Sequence, residues 1–154
     1  MNHEDQEKSS LNKLAASATT HCMTGCAIGE VLGLVIGTAL GWSNIATIAL
    51  AVALAFLFGY SLTMLPLLRS GIAFKEATKL ALIADTASIT VMEIVDNLIM
   101  VVIPGAMAAG LDDWHFWISM TVALAIAWVV AFPVNRWLIG RGMGHAKVHA
   151  HHQH

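Results

Sequence analysis

No lysine or arginine occurs between Lys13 and Arg69, and none between Lys79 and Arg136. Across those two gaps run four apolar stretches, at 18–41, 45–68, 80–104 and 116–139, the last reaching just past Arg136. Each is long enough for a helix to cross a hydrocarbon core of about 30 Å, which takes about 20 residues. Composition agrees: the chain is 57% hydrophobic and 12% charged, whereas soluble domains carry roughly a quarter charged residues. A disordered chain, a collagen-like chain and an ordinary water-soluble globule are excluded. The expected fold class is all-α, a polytopic membrane protein with four transmembrane helices in a bundle.

The breaks between spans are readable. Gly41-Trp42-Ser43-Asn44 forms a tight turn, Pro66 lies near the end of the second span, and Pro104-Gly105 ends the third. Asp112-Asp113 opens the last connection, and Trp42, Trp114, Trp117 and Trp137 are placed as interfacial anchors. The first twenty residues are polar and carry no cleavable signal sequence. The chain divides into a polar, mobile N-terminal segment at 1–17, a membrane domain at 18–139 and a His-rich tail at 140–154. The stretch 70–79 reads as a loop or a short interfacial helix.

Charge sets orientation. All 8 Lys and Arg residues fall on one side of a four-span arrangement: Lys8, Lys13, Arg69, Lys75, Lys79, Arg136, Arg141 and Lys147. The positive-inside rule places both termini and the 69–79 connection in the cytoplasm of a bacterial inner membrane. The lipid bilayer is the expected partner, together with further copies of the chain, since four helices enclose little interior. Net charge is −2 and no basic patch suggests nucleic acid.

The residues that carry chemistry are the polar ones inside the spans. The first holds His21-Cys22-Met23-Thr24-Gly25-Cys26 and Glu30; the third holds Asp85, Glu93 and Asp96. An acid at the centre of a span costs about 2.5–3.5 kcal/mol, so three of them cost roughly 7–10 kcal/mol. At about 100° per residue, Asp85, Met92, Glu93, Asp96 and Met100 share about a third of the helix surface. Cys22, Cys26 and Glu30 repeat every four residues, and Gly25, Gly29, Gly33, Gly37 and Gly41 repeat alongside them. Small residues at that spacing allow close helix packing in lipid. The first span is therefore expected to pack its thiol and glycine face against the acidic stripe of the third.

The membrane interior contains no fixed positive charge to neutralise these acids, since Arg136 lies at the end of the fourth span. Either the carboxyls stay protonated, because a buried charge is costly, or a mobile cation accompanies them. Acids acting only as interhelical hydrogen-bond glue, worth about 1 kcal/mol each, are the plainer alternative. His21, Cys22, Cys26 and Met64 form a soft donor set at the cytoplasmic mouth, suited to Cu(I) or Zn, with Glu30, Asp85, Glu93 and Asp96 as a deeper cation or proton path. His21 points about 100° from Cys22 and joins only if the helix frays there. Inert packing of the cysteines is the competing reading. In the tail, His145, His149, His151, His152 and His154 either collect metal or are idle. His115 reads as an interfacial residue.

The HCMTGC start of the first span, with four spans and an acidic third, resembles a family of small bacterial membrane proteins catalogued as a domain of unknown function and marked by HCxxGC. The resemblance covers 20–140. It implies that His21, Cys22, Gly25 and Cys26 act as one motif and implies no activity.

The first functional expectation is a membrane transporter or handling protein for a transition-metal cation, copper first, with that ion the only cofactor or none needed. The second is a proton-coupled transporter of a small organic solute, with Glu30 and the third-span acids as proton carriers. It is like the small multidrug exporters in span number and in a mid-membrane glutamate, but unlike them in its acidic third span and charge bias. An enzyme is not expected. A thiol oxidoreductase would need a second cysteine pair to relay electrons, and no catalytic motif appears.

Overall fold

A computed structural model describes residues 3–141, and all regular structure among them is helical. Helix α1 runs His3–Ala39, α2 Asn44–Arg69, α3 Phe74–Val102 and α4 Trp114–Gly140, with a 3-10 turn at Ala106–Ala108. The four helices pack in a ring in chain order, with α4 closing against α1. Three of them, α1, α2 and α4, are long and apolar enough to cross a membrane, which marks the chain as a membrane protein. Helix α3 matches them in length, at 29 residues or about 43 Å, but its acids lower its apolarity. It turns Asp85, Glu93 and Asp96 into the bundle and leaves Ile94, Leu98 and Val101 outside.

Two of the turns use the same device. Gly41 (φ 65°) and Gly71 (φ 88°) take left-handed conformations that a side chain would strain. Around them Trp42 N donates to Gly37 O at 2.9 Å and Ile72 N to Leu67 O at 3.2 Å, which closes the helix ends. Ser43 and Asp113 then cap α2 and α4 with side-chain oxygens. His115 Nε2 lies 3.0 Å from Pro104 O and ties the start of α4 to the end of α3.

The tightest seam is α1 against α2. Gly25 meets Gly59, Gly29 meets Ala55, Gly33 meets Ala51 and Gly37 meets Thr47. Each four-residue step along α1 matches the same step back along α2, so the two helices are antiparallel and in register. A Cβ on Gly25 would lie 2.7 Å from Gly59 Cα, a distance that backbone cannot relieve. The glycine stripe therefore faces α2, not the acidic helix that the sequence suggested. Gly25 and Cys26, like Gly29 and Glu30, are one residue apart and so about 100° apart around the helix. Two stripes that read as one face are two faces, and Gly41 belongs to the turn.

Two boundaries also differ from expectation. Helix α1 extends back to His3, where a mobile segment was expected. Leu11, Leu14, Ala15 and Ala18 give it an apolar seam that packs on Phe132 and Ile139 of α4, and Arg136 Nε donates to Asn12 Oδ1 at 2.6 Å. Helix α3 begins at Phe74, inside the stretch read as a loop or a short interfacial helix, because Ala77 and Leu80 pack against Leu67. Lys8, Lys13, Arg69, Lys75, Lys79, Arg136 and Arg141 gather at one end of the bundle, and Asp112 and Asp113 lie at the other. Lys147 and the tail histidines lie outside the described residues.

Candidate cation site

Helices α1 and α3 face each other across the bundle, and the register brings a proton-bearing group of α1 opposite a carboxyl of α3 on three successive turns. In the first rung Cys22 Sγ donates to Asp85 Oδ1 at 3.8 Å, and both residues are fully buried. Ser88 lies near Cys22 and Thr63 of α2 near Asp85, although Thr63 Oγ1 makes no hydrogen bond. In the second, Cys26 lies beside Glu93. In the third, the Glu30 and Asp96 carboxyls lie side by side, close enough to influence each other. The acidic stripe of α3 thus meets the thiols and Glu30, as the depth and angle of these residues suggest, while the glycines hold α1 to α2.

The ladder is only partly satisfied. Glu30 Oε1, Glu93 Oε1 and Asp96 Oδ1 are buried without a hydrogen-bond partner. Such an oxygen costs about 1–3 kcal/mol, more when charged. Asn97 Nδ2 leans on Glu93, donating to its backbone oxygen at 2.9 Å and to Oε2 at 3.5 Å. Below the first rung, Asn135 of α4 donates to Thr19 Oγ1 and to Ser88 Oγ, both at 2.9 Å. It links α4 to α1 and α3 at the thiol level. Sequence reasoning missed Asn135, although a lone amide in an apolar span was the available signal. It missed Ser88 as well, one turn beyond Asp85 on the same face.

The surroundings of the sulfurs differ from the soft set read from sequence. Cys22 and Cys26 are reduced and buried, and share one cluster with Ala55, Ile89, Met92, Ala127 and Ala131, drawn from all the other helices. Met92 is therefore the buried thioether of the thiol cluster, with Met23 partly buried against its edge. Met64 instead accepts from Thr78 Oγ1 at 3.9 Å in the α2–α3 seam. The helix is unbroken at His21, so the fraying that would bring its ring to Cys22 does not occur. Among the described residues no three His, Cys, Asp or Glu side chains are grouped to hold a metal ion. The donor set that remains at the thiols is sulfur: two thiols and a thioether, with carboxyls behind them.

Toward the end opposite the basic residues, a cavity of about 80 Å³ lies beside the third rung. Glu30, Asp96, Asn97, Thr47 and Phe116 line it. A water occupies about 30 Å³, so the space suits a small ion with one or two waters. Pockets for drug-sized molecules run to about 300–1,000 Å³.

Comparison with curated proteins and with solved structures gives no match. A family model described as a domain of unknown function, DUF4396, matches residues 11–144, so the chain belongs to that family.

Proposed function

We propose that this protein is a membrane transporter or handling protein for a soft transition-metal cation, Cu(I) first, whose binding and movement are coupled to protons. The observation that carries the reading is the pairing of two buried thiols with carboxyls, Cys22 with Asp85 and Cys26 with Glu93, in a bundle whose interior holds no Lys or Arg. A thiol binds metal only as thiolate, so each must shed a proton. One Cu(I) joining both sulfurs displaces two protons. With Asp85 and Glu93 ionised beforehand, their carboxylates take those protons, and the buried negative charge falls by one. Loading is then favoured by neutralisation, and the protons are placed next to the Glu30–Asp96 pair for onward movement. Met92 would complete a sulfur site suited to Cu(I). Both termini lie on the cytoplasmic side in this reading, as the clustered Lys and Arg residues indicate.

A second reading has Glu30 and Asp96 carrying protons for a small organic solute, supported by the cavity beside them. The small volume of that cavity favours an ion. Proteoliposomes loaded with a pH-sensitive dye separate the two. Proton movement driven by Cu(I) under reducing conditions and abolished by Cys22→Ser with Cys26→Ser supports the first. Proton movement driven by an organic cation and indifferent to those changes supports the second.

A further inference from the structure

Three of the 8 methionines in the chain line the cavity beside Glu30 and Asp96: Met100 from α3, Met107 from the 3-10 turn and Met120 from α4. They come from three different elements and belong to one packed cluster, with Met100 and Met120 buried. Methionine often fills gaps in a core. Here, however, the thioethers border open space rather than filling it. The same space is edged by two carboxyls that are at least nine-tenths buried, Glu30 (6% exposed) and Asp96 (4%), each with an oxygen that has no partner. Uncharged sulfur donors, nearby negative charge and room for an ion are the requirements of a soft monovalent cation.

We infer that this cavity is a second metal site, a thioether site for Cu(I) or Ag(I), separate from the thiols and at the opposite end of the acidic ladder. It extends the soft-cation reading by supplying the far end of the path. Its chemistry suits that position. Thioethers bind without losing a proton, and they do not form disulfides on the oxidising side of a membrane. An ion leaving the thiols would pass from a charged sulfur site to a neutral one, with Glu30 and Asp96 offsetting its charge.

The test uses the full chain carrying Cys22→Ser and Cys26→Ser, labelled on the methionine methyl carbons and titrated with Ag(I) in detergent. Saturable shifts of the Met100, Met107 and Met120 methyl signals, with Met23, Met64 and Met92 unmoved, are expected. Met100→Leu, Met107→Leu and Met120→Leu together remove an added site while conserving volume, and should abolish the saturable component. Glu30→Gln with Asp96→Asn should weaken it. Unmoved signals at these three methionines, or equal shifts at all methionines, would overturn the inference. Because the thiols are absent from this protein, failure here leaves the thiol site standing, and failure of the thiol site leaves this result interpretable.

Discussion

Cys22 Sγ lies 3.8 Å from Asp85 Oδ1, and neither side chain is reached by solvent. A thiol held against a carboxyl in a dry interior has its proton acceptor built in. The consequence is measurable in the number of protons that reach solution when metal binds. Reduced wild-type protein loaded with Cu(I) in weak buffer should release fewer than about two protons per ion, because Asp85 and Glu93 retain them. Asp85→Asn with Glu93→Gln should release nearly the full two. Equal release from both proteins would show that the carboxyls do not take the thiol protons.

Met92 is buried in the cluster that holds both thiols, and Met64 does not belong to that cluster. Met92→Leu conserves volume and should cost less than about 1.5 kcal/mol of stability, while speeding loss of bound Cu(I) to a competing chelator. Met64→Leu should leave that rate unchanged. Chelator competition on the two variants checks the assignment, and a reversed pattern would restore Met64 to the site.

The glycine seam sets how closely α1 approaches α2. Gly29→Val places side-chain atoms into the Ala55 backbone and should destabilise the fold by about 1–3 kcal/mol. The seam should also separate enough to disturb the thiol ladder. Gly37→Ala meets only the Thr47 side chain and should cost less. Denaturation in mixed detergent micelles, followed by circular dichroism, gives the order.

Asn135 bridges Thr19 and Ser88 from α4. Asn135→Leu should cost about 1 kcal/mol, in the range of interhelical hydrogen bonds in membrane proteins. It should also free Ser88 beside Cys22, raising the rate at which a small permeant maleimide labels the buried thiols. Unchanged labelling would confine Asn135 to packing.

Much of this was legible in the sequence because membrane insertion imposes length and apolarity on helices. The apolar runs gave the number of helices, and the Gly41 turn was visible from its residues. The acids of α3 were visible because each is costly in lipid. What stayed hidden depended on angle and partner. Gly25 and Cys26 are neighbours in the chain, yet they face α2 and the bundle interior respectively. Met64 and Met92 are alike in sequence, and only the packing shows which one meets the thiols. The stretch leading into α3 reads as either a loop or a short interfacial helix because Lys75, Glu76 and Lys79 make its first turns look exposed. Its buried alanines carry too weak a hydrophobic signal to correct that impression.

The proposed sidedness rests on the clustered positive charges. In a background with Cys22→Ser and Cys26→Ser, Ser70→Cys should resist a membrane-impermeant maleimide applied to intact cells, and Ser43→Cys should react. The opposite pattern would reverse the direction assigned to the ladder.

The central claim is that Cys22 and Cys26 hold a soft cation between them. X-ray absorption at the copper edge tests it most directly, on reduced full-length protein loaded with Cu(I) and washed with a weak chelator. The method separates sulfur from nitrogen neighbours, so the tail histidines cannot imitate the site. The account predicts about one copper per chain in an all-sulfur environment, lost in the Cys22→Ser, Cys26→Ser protein. Copper bound only by nitrogen or oxygen, or copper retained with sulfur neighbours after both cysteines are removed, would contradict it.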